Sequence, residues 1–196
     1  LSKKISKKKS ISVVYCGDGS VEEGVFYESI NFAATKNVPV LFVCENNSYS
    51  VYSPLSVRQP EGRKIHEMVK GMGVDSAYED GNDIRKVYRL TKRAISKIYE
   101  TGNPFFMELQ TFRWREHCGP NYDNNIGYRS EEEFLEWKKR DPIKLFERKL
   151  LKEGICTKGE IRRINKEVLG QIKEAFNFAK SSPFPDPSEA FESMFA

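Results

Sequence analysis

Long apolar runs are absent: nothing in the 196 residues approaches the roughly 20 that a membrane-spanning helix needs. No apolar stretch follows the lysines at the start either, so the chain does not open like a secretory signal. The four cysteines are not closely paired, and they offer neither a zinc framework nor a disulfide scaffold. Two histidines are too few for a histidine-rich metal site. An excess of one charge is missing as well. Lys and Arg number 32 against 28 Asp and Glu, a formal +4 spread along the chain, which is a weak footing for nucleic acid. What is present is large apolar surface, with 13 Phe and 9 Tyr in a composition 39% apolar and 31% charged. A chain of this kind builds a core under a well-solvated surface. The expectation is a soluble cytoplasmic α/β protein with no membrane and no nucleic-acid partner.

The chain begins at Leu1 with Lys3, Lys4, Lys7, Lys8 and Lys9 close behind. These lysines read as the solvated end of an upstream helix, with a basic anion-binding arm as the alternative. Residues 11–16 then form a β-rich, buried-looking run that ends at Gly17-Asp18-Gly19, a strand entering a tight turn. Residues 22–36 carry Val25, Phe26, Ile30, Ala33 and Ala34 at helical spacing. Residues 39–44 make a second strand, apolar almost throughout, as in a sheet covered on both faces. A helix of about 15 residues spans roughly 22 Å, and a strand of six or seven residues about 20 to 23 Å. The helix can therefore carry the chain back, so that the two strands lie parallel in one βαβ unit.

Further along, residues 63–72 read as a helix and 74–78 as a short strand. Asp80-Gly81-Asn82-Asp83 supplies turn and cap residues for a helix that reaches about Glu100. Gly102-Asn103-Pro104 stops it, and a strand follows from Phe105 to Trp114. Residues 115–129 form a polar loop of a length usually kept for function. Helices are expected at 131–139, 142–153 and 157–180, and the proline-rich last residues should wrap a neighbour or fray. The fold class is thus a parallel α/β sheet with helices on both faces, comprising residues 1–130, and a C-terminal helical extension over 131–196.

Ligands of parallel sheets gather at the carboxyl ends of the strands. Asp18 follows the first strand and Asn46-Asn47 the second, so the Asp18 carboxylate and the Asn47 side-chain oxygen would be neighbours. Gly17 and Gly19 allow a sharp turn. Gly19 and Ser20 stand at a helix start, where backbone amides favour an anion such as diphosphate. Carboxylate, amide oxygen, main-chain carbonyl and phosphate oxygens are magnesium ligands. The competing reading is that Asp18 only caps its helix and Asn46-Asn47 makes an ordinary turn.

The segments Gly17-Asp18-Gly19-Ser20-Val21-Glu22-Glu23-Gly24, then Glu28, Asn31 and Phe32-Ala33-Ala34, then Glu45-Asn46-Asn47-Ser48-Tyr49, resemble the thiamine diphosphate motif. More narrowly the chain is similar to the α subunit of the E1 component of 2-oxo acid dehydrogenases (pyruvate, branched-chain 2-oxo acid) and of acetoin dehydrogenase. Ser53-Pro54, Asp80-Gly81-Asn82-Asp83, Pro104 to Glu108, Thr111 to Trp114, Tyr128-Arg129-Ser130 and Asp141-Pro142-Ile143 follow in the family's order. The resemblance implies a thiamine diphosphate-binding fold and the cofactors Mg²⁺ and thiamine diphosphate. Asp18 and Asn47 would be the side-chain metal ligands, with the main-chain oxygen of Tyr49 as a third. Gly17, Gly19 and Ser20 would belong to the diphosphate turn. Arg113 and His117 match the family's loop, with His117 near the reacting centre as the catalytic candidate; alone, it would read as an exposed loop residue. The implied activity is oxidative decarboxylation of a small 2-oxo acid with acyl transfer to a lipoyl group. Its partners would be an E1 β subunit, in an α2β2 assembly, and a lipoyl-bearing E2 acyltransferase.

Departures concentrate in the same loop. Arg115-Glu116-His117-Cys118-Gly119-Pro120 replaces the family's glycine-rich step, and Cys118 stands where some relatives carry a phosphorylated serine. Cys118 reads as an inert thiol rather than a nucleophile. The extra polar groups suggest acyloin cleavage or carboligation in a biosynthetic pathway as an alternative, and a catalytically silent assembly subunit is a third reading. His66 reads as a partly buried surface residue, Trp114 as packing, and Glu23 as a neighbour of the site or a helix-end charge. In the resembling two-subunit enzymes the glutamate that activates the aminopyrimidine belongs to the β subunit, and the α subunit is longer at its N-terminus. The chain is therefore expected to be an N-terminally truncated α subunit, inactive without a β partner.

Overall fold

The computed structural model describes residues 10–192 together with Ile5. The lysines at positions 3, 4, 7, 8 and 9 lie outside the described residues. Compact packing divides the chain in two, one unit ending at Phe146 and the other beginning at Glu147. In chain order the first unit contains β1 (Ser12–Gly17), a 3-10 turn (Asp18–Glu22), α1 (Gly24–Lys36), β2 (Val40–Asn46), β3 (Tyr49–Ser50) and β4 (Ser53–Pro54). It continues with α2 (Leu55–Arg58), α3 (Ile65–Gly71), β5 (Asp75–Asp80), α4 (Ile84–Thr101), β6 (Phe105–Gln110) and α5 (Glu131–Lys139). The boundary falls inside α6 (Pro142–Lys152), and α7 (Lys158–Ser181) belongs to the second unit.

The main sheet is four-stranded, in the order β1-β2-β6-β5, and every pairing is parallel. Residue parity along the strands assigns the two faces. Val40, Phe42 and Cys44 of β2, with Phe106 of β6, pack against Phe26, Ile30 and Ala33 of α1 and Ile65 and Val69 of α3. Leu41 and Val43, with Phe105, Met107 and Leu109, meet Leu90, Ala94 and Ile98 of α4 on the other face. Helices thus cover both faces, and burying each such side chain contributes about 1.5–3 kcal/mol. Asp83 fixes the start of α4, its carboxylate accepting the amides of Arg85 and Lys86 at 3.0 and 3.2 Å. Gly102 ends that helix in the left-handed conformation at φ 71°.

Three local expectations are corrected. β1 is not a buried strand: among the described residues it pairs only with β2, at the sheet edge, and Val13, Val14 and Tyr15 are 44, 43 and 69% exposed. The strand beginning at Phe105 ends at Gln110 rather than Trp114: the Thr111 amide still donates to the Asn46 carbonyl at 2.9 Å, but β2 ends at Asn46 and offers no further partner. Phe112 then leaves the sheet to stack on Trp137 at 5.5 Å, with Trp114 packed edge-on against it. The helix expected from residue 22 begins at Gly24, since Glu23 is extended (φ −77°, ψ 141°) between the 3-10 turn and α1. The β3–β4 hairpin and α2 had no counterpart in the reading of the sequence.

The second unit is helical. Thr157 opens α7 with a reciprocal cap, accepting the Glu160 amide at 3.2 Å while Glu160 accepts the Thr157 amide at 2.7 Å. No helix among the described residues is long and apolar enough to cross a membrane.

Candidate functional site

Parallel register brings the strand ends to one edge of the sheet: Gly17 lies opposite Glu45, and Asn46 opposite Gln110. The segments that leave β1, β2 and β6 there enclose a cleft of about 380 Å³. Gly17, Asp18, Gly19 and Ser20 line it from the first turn, Asn47 and Tyr49 from the second, and Arg113 and His117 from the third. Every site residue expected from the sequence is therefore on this one surface. Glu23, Ser50 and Val51 complete it.

Asp18 does not cap its own turn. It is 1% exposed, and its Oδ1 accepts the amide of Asn47 across the sheet at 3.3 Å, while Oδ2 pairs with the guanidinium of Arg58. The carboxylate thus ties the end of β1 to the end of β2. The Asn46-Asn47 segment makes two successive Asx turns. Asn46 Oδ1 accepts the amide of Ser48 at 3.0 Å and Asn47 Oδ1 accepts that of Tyr49 at 3.1 Å. Behind it, the buried Glu108 accepts from Asn46 Nδ2 at 2.8 Å and from the His66 amide at 2.9 Å, with His66 Nδ1 at 2.6 Å. His66 is partly buried, as expected, and it is held there as a partner of Glu108.

The chain leaves this turn under strain. Ser48 and Val51 take left-handed φ values of 66° and 53°, and for the β-branched Val51 that conformation costs of order 1–3 kcal/mol. Arg113 secures it, donating from Nη2 to the Val51 carbonyl at 2.9 Å and to the Tyr128 hydroxyl at 3.0 Å. Nη1 of the same side chain lies 3.3 Å from His117 Nδ1. Guanidinium only donates, so this contact suits the imidazole tautomer in which Nδ1 accepts and Nε2 carries the proton. The third loop is held from below by a buried pair, Arg129 with Asp123, and by Arg129 Nη1 donating to the Arg113 carbonyl at 2.6 Å. Tyr49 donates its hydroxyl to Glu133 Oε2 at 2.6 Å; burial first, and then that bond, push its phenol well above the ordinary tyrosine range. Cys118 is exposed.

Asp18 and Asn47 bring carboxylate and amide oxygens, beside Tyr49, to the lining of the cleft. Hard oxygen donors of that kind fit Mg²⁺. Gly19 is required where it stands, since a Cβ there would come within 2.5 Å of Ser50 Oγ and 2.8 Å of Ser50 Cβ. The residues present are thus compatible with a magnesium-bound diphosphate.

Over residues 1–188 the chain matches the dehydrogenase E1 component family. It belongs to that family. It is 29% identical over 194 residues to the pyruvate dehydrogenase E1 component subunit alpha of Rickettsia felis, covering 99% of this chain and 58% of the relative. It is 33% identical over 186 residues to the human mitochondrial 2-oxoisovalerate dehydrogenase subunit alpha, covering 94% and 41%. A Staphylococcus aureus pyruvate dehydrogenase E1 component subunit alpha is 32% identical over 179 residues, covering 89% and 48%. The chain is of the E1 α type, and it spans between about two-fifths and three-fifths of the length of these relatives.

Sequence reasoning missed Ser50, Val51 and Arg58. Ser50 and Val51 enter the cleft by way of a hairpin too short to leave a periodic signal. Arg58 approaches Asp18 from a single helical turn with no motif of its own.

Proposed function

We propose that the cleft holds Mg²⁺ and thiamine diphosphate, and that the chain serves a two-subunit E1 enzyme in the oxidative decarboxylation of a small 2-oxo acid. The observation that carries this reading is the convergence of Asp18, Asn47 and Tyr49 with the Gly19 and Ser20 turn on one surface, with Arg113 and His117 in the same lining. Asp18, Asn47 and Tyr49 would hold the metal, and the amides of Gly19 and Ser20 would hold the diphosphate. A cofactor held by these residues would supply nucleophilic carbon chemistry at a 2-oxo group.

The chain's own contribution is orientation and charge. Arg113 lines the cleft and favours the His117 tautomer whose Nε2–H is a donor for an oxygen of cofactor or substrate. The acyl group would pass to a lipoyl group of an E2 acyltransferase, and a β subunit would complete the site.

Calorimetric titration with thiamine diphosphate and Mg²⁺ tests the reading, using the chain alone and mixed with an E1 β subunit. Binding that is abolished by Asp18→Ala is the expected result. Absence of binding in both samples, with near-UV circular dichroism showing a folded chain, refutes it. Turnover by the chain without any partner would refute the shared-site part alone.

A further inference from the structure

Arg58 is the unabsorbed charge of this region. It closes α2, and its guanidinium is clasped on three sides: by Asp18 Oδ2, by Glu22 Oε1 and, through Nε, by the Ser53 carbonyl at 3.1 Å. Glu22 Oε1 also accepts from Gln59 Nε2 at 3.2 Å. The side chain is 10% exposed and does not line the cleft, so it stands behind Asp18 rather than in the ligand space. Its Nη1 lies 3.7 Å from where a Cβ of Gly19 would be. One fixed cation therefore touches the carboxylate offered to the metal and adjoins the turn offered to the diphosphate.

A charge so placed acts with opposite sign on the two halves of the ligand. It repels a divalent cation approaching Asp18 and attracts an anion approaching Gly19 and Ser20. A carboxylate has about four lone-pair sites, so Asp18 can keep Arg58 and still serve as a ligand. We infer that Arg58 sets the charge of the cradle, holding the affinity for a bare divalent cation low and that for diphosphate high, so that metal and diphosphate load together. The inference rests on the Mg²⁺-thiamine diphosphate reading above and adds a positioning residue to it. Arg58 acts through Asp18 and touches no ligand itself.

Opposite signs distinguish this role from a merely structural one. Binding of Mn²⁺ alone is read by electron paramagnetic resonance of the free ion, and binding of inorganic diphosphate alone by calorimetry, both on the full chain. Arg58→Gln removes the charge but keeps an amide donor. It should tighten Mn²⁺ by about tenfold and weaken diphosphate by a similar factor. Arg58→Lys keeps the charge and should stay within about threefold of the parent for both ligands. Glu22→Gln leaves Arg58 in place with one neighbouring negative charge fewer. It should shift both affinities the other way, which gives a second test should Arg58→Gln fail to fold.

Parallel weakening of both ligands in folded Arg58→Gln, or no change in either, overturns the inference while leaving the cradle intact. If parent and variants bind neither ligand, and the parent binds no thiamine diphosphate with Mn²⁺, the cradle reading fails and the inference with it.

Discussion

Replacing Glu108 by alanine should destabilise the first unit far more than the loss of a single side chain of its size. The carboxylate is 4% exposed and anchors three donors: Asn46 Nδ2 at 2.8 Å, the His66 amide at 2.9 Å and His66 Nδ1 at 2.6 Å. Asn46 is itself 4% exposed, so its amide loses its partner with little access to water, at a cost of about 1–3 kcal/mol. The His66 side chain is 21% exposed, and solvent can replace part of what it loses. Adding about 1 kcal/mol for each of its two bonds gives a total of about 3–5 kcal/mol. Removing the carboxylate's own desolvation cost works against this sum and places the result in its lower half.

Urea unfolding measures the loss directly. A double-mutant cycle with His66→Ala then isolates the contact between the two side chains, for which a coupling of about 0.5–3 kcal/mol is expected. The same substitution should weaken Mn²⁺ binding, because the freed Asn46 no longer holds the Ser48 amide and the turn that presents Asn47. Glu108→Gln, which keeps one acceptor but turns an amide toward a donor, should fall between the parent and alanine. A loss under about 1 kcal/mol for alanine, or additivity with His66→Ala, would show that the cluster is no anchor.

Other outcomes follow from single sites. Phe106→Ala empties a position that is 0% exposed between α1 and β2 and should cost about 3–5 kcal/mol in chemical denaturation. Gly81→Ala would set a Cβ 2.7 Å from the Gln110 carbonyl oxygen, which is backbone and cannot swing away, so a loss of about 1–3 kcal/mol is expected in the same assay. The Tyr49 phenol is raised in the folded state, so its contribution is fully present below the unfolded tyrosine value of about 10 and fades as pH climbs through the folded one. Stability profiles should run parallel below about pH 9 and, above about pH 10, fall more steeply for the parent than for Tyr49→Phe.

Periodicity made the scaffold legible. The apolar run in β2 announced a strand covered on both faces, and Phe26, Ile30 and Ala33 announced the helix that covers one of them. Two turns of the candidate site were legible because both follow strand ends one βαβ unit apart, though either alone would have read as a cap or plain turn; Tyr49, Arg113 and His117 came from the family resemblance alone. Local signals failed where tertiary contacts decide. β1 has the composition of an interior strand, and composition cannot tell an edge from a centre. Phe112 continues the alternation of β6 but is drawn off to Trp137, a contact made with α5 and invisible to a short window. The β3–β4 hairpin has two residues in each strand, below any period. Glu108 looked like one more strand residue, because its three partners come from two distant segments.

The parts of the cleft differ in how they are made rigid, and the difference bears on function. The first turn and the Asn46-Asn47 turn are fastened to each other by Asp18 and braced from behind by Glu108 and Arg58. The third loop has no regular structure, so its order must come from side chains. The buried Arg129–Asp123 pair supplies it, reaching Arg113 through the Arg113 carbonyl. Breaking such a pair costs about 3–5 kcal/mol because a buried charge is left uncompensated. Arg113 then hands that order on in two directions, to His117 through Nη1 and to the strained Val51 carbonyl through Nη2. Loss of Arg113 would therefore release the histidine and the Val51 end of the hairpin while Asp18 and Asn47 stay fixed. In Arg113→Ala, Mn²⁺ affinity should survive as thiamine diphosphate affinity falls, whereas Asp18→Ala should lose both together. Equal loss of metal in the two variants would mean that the loop and the ligand turns are one mechanical unit after all.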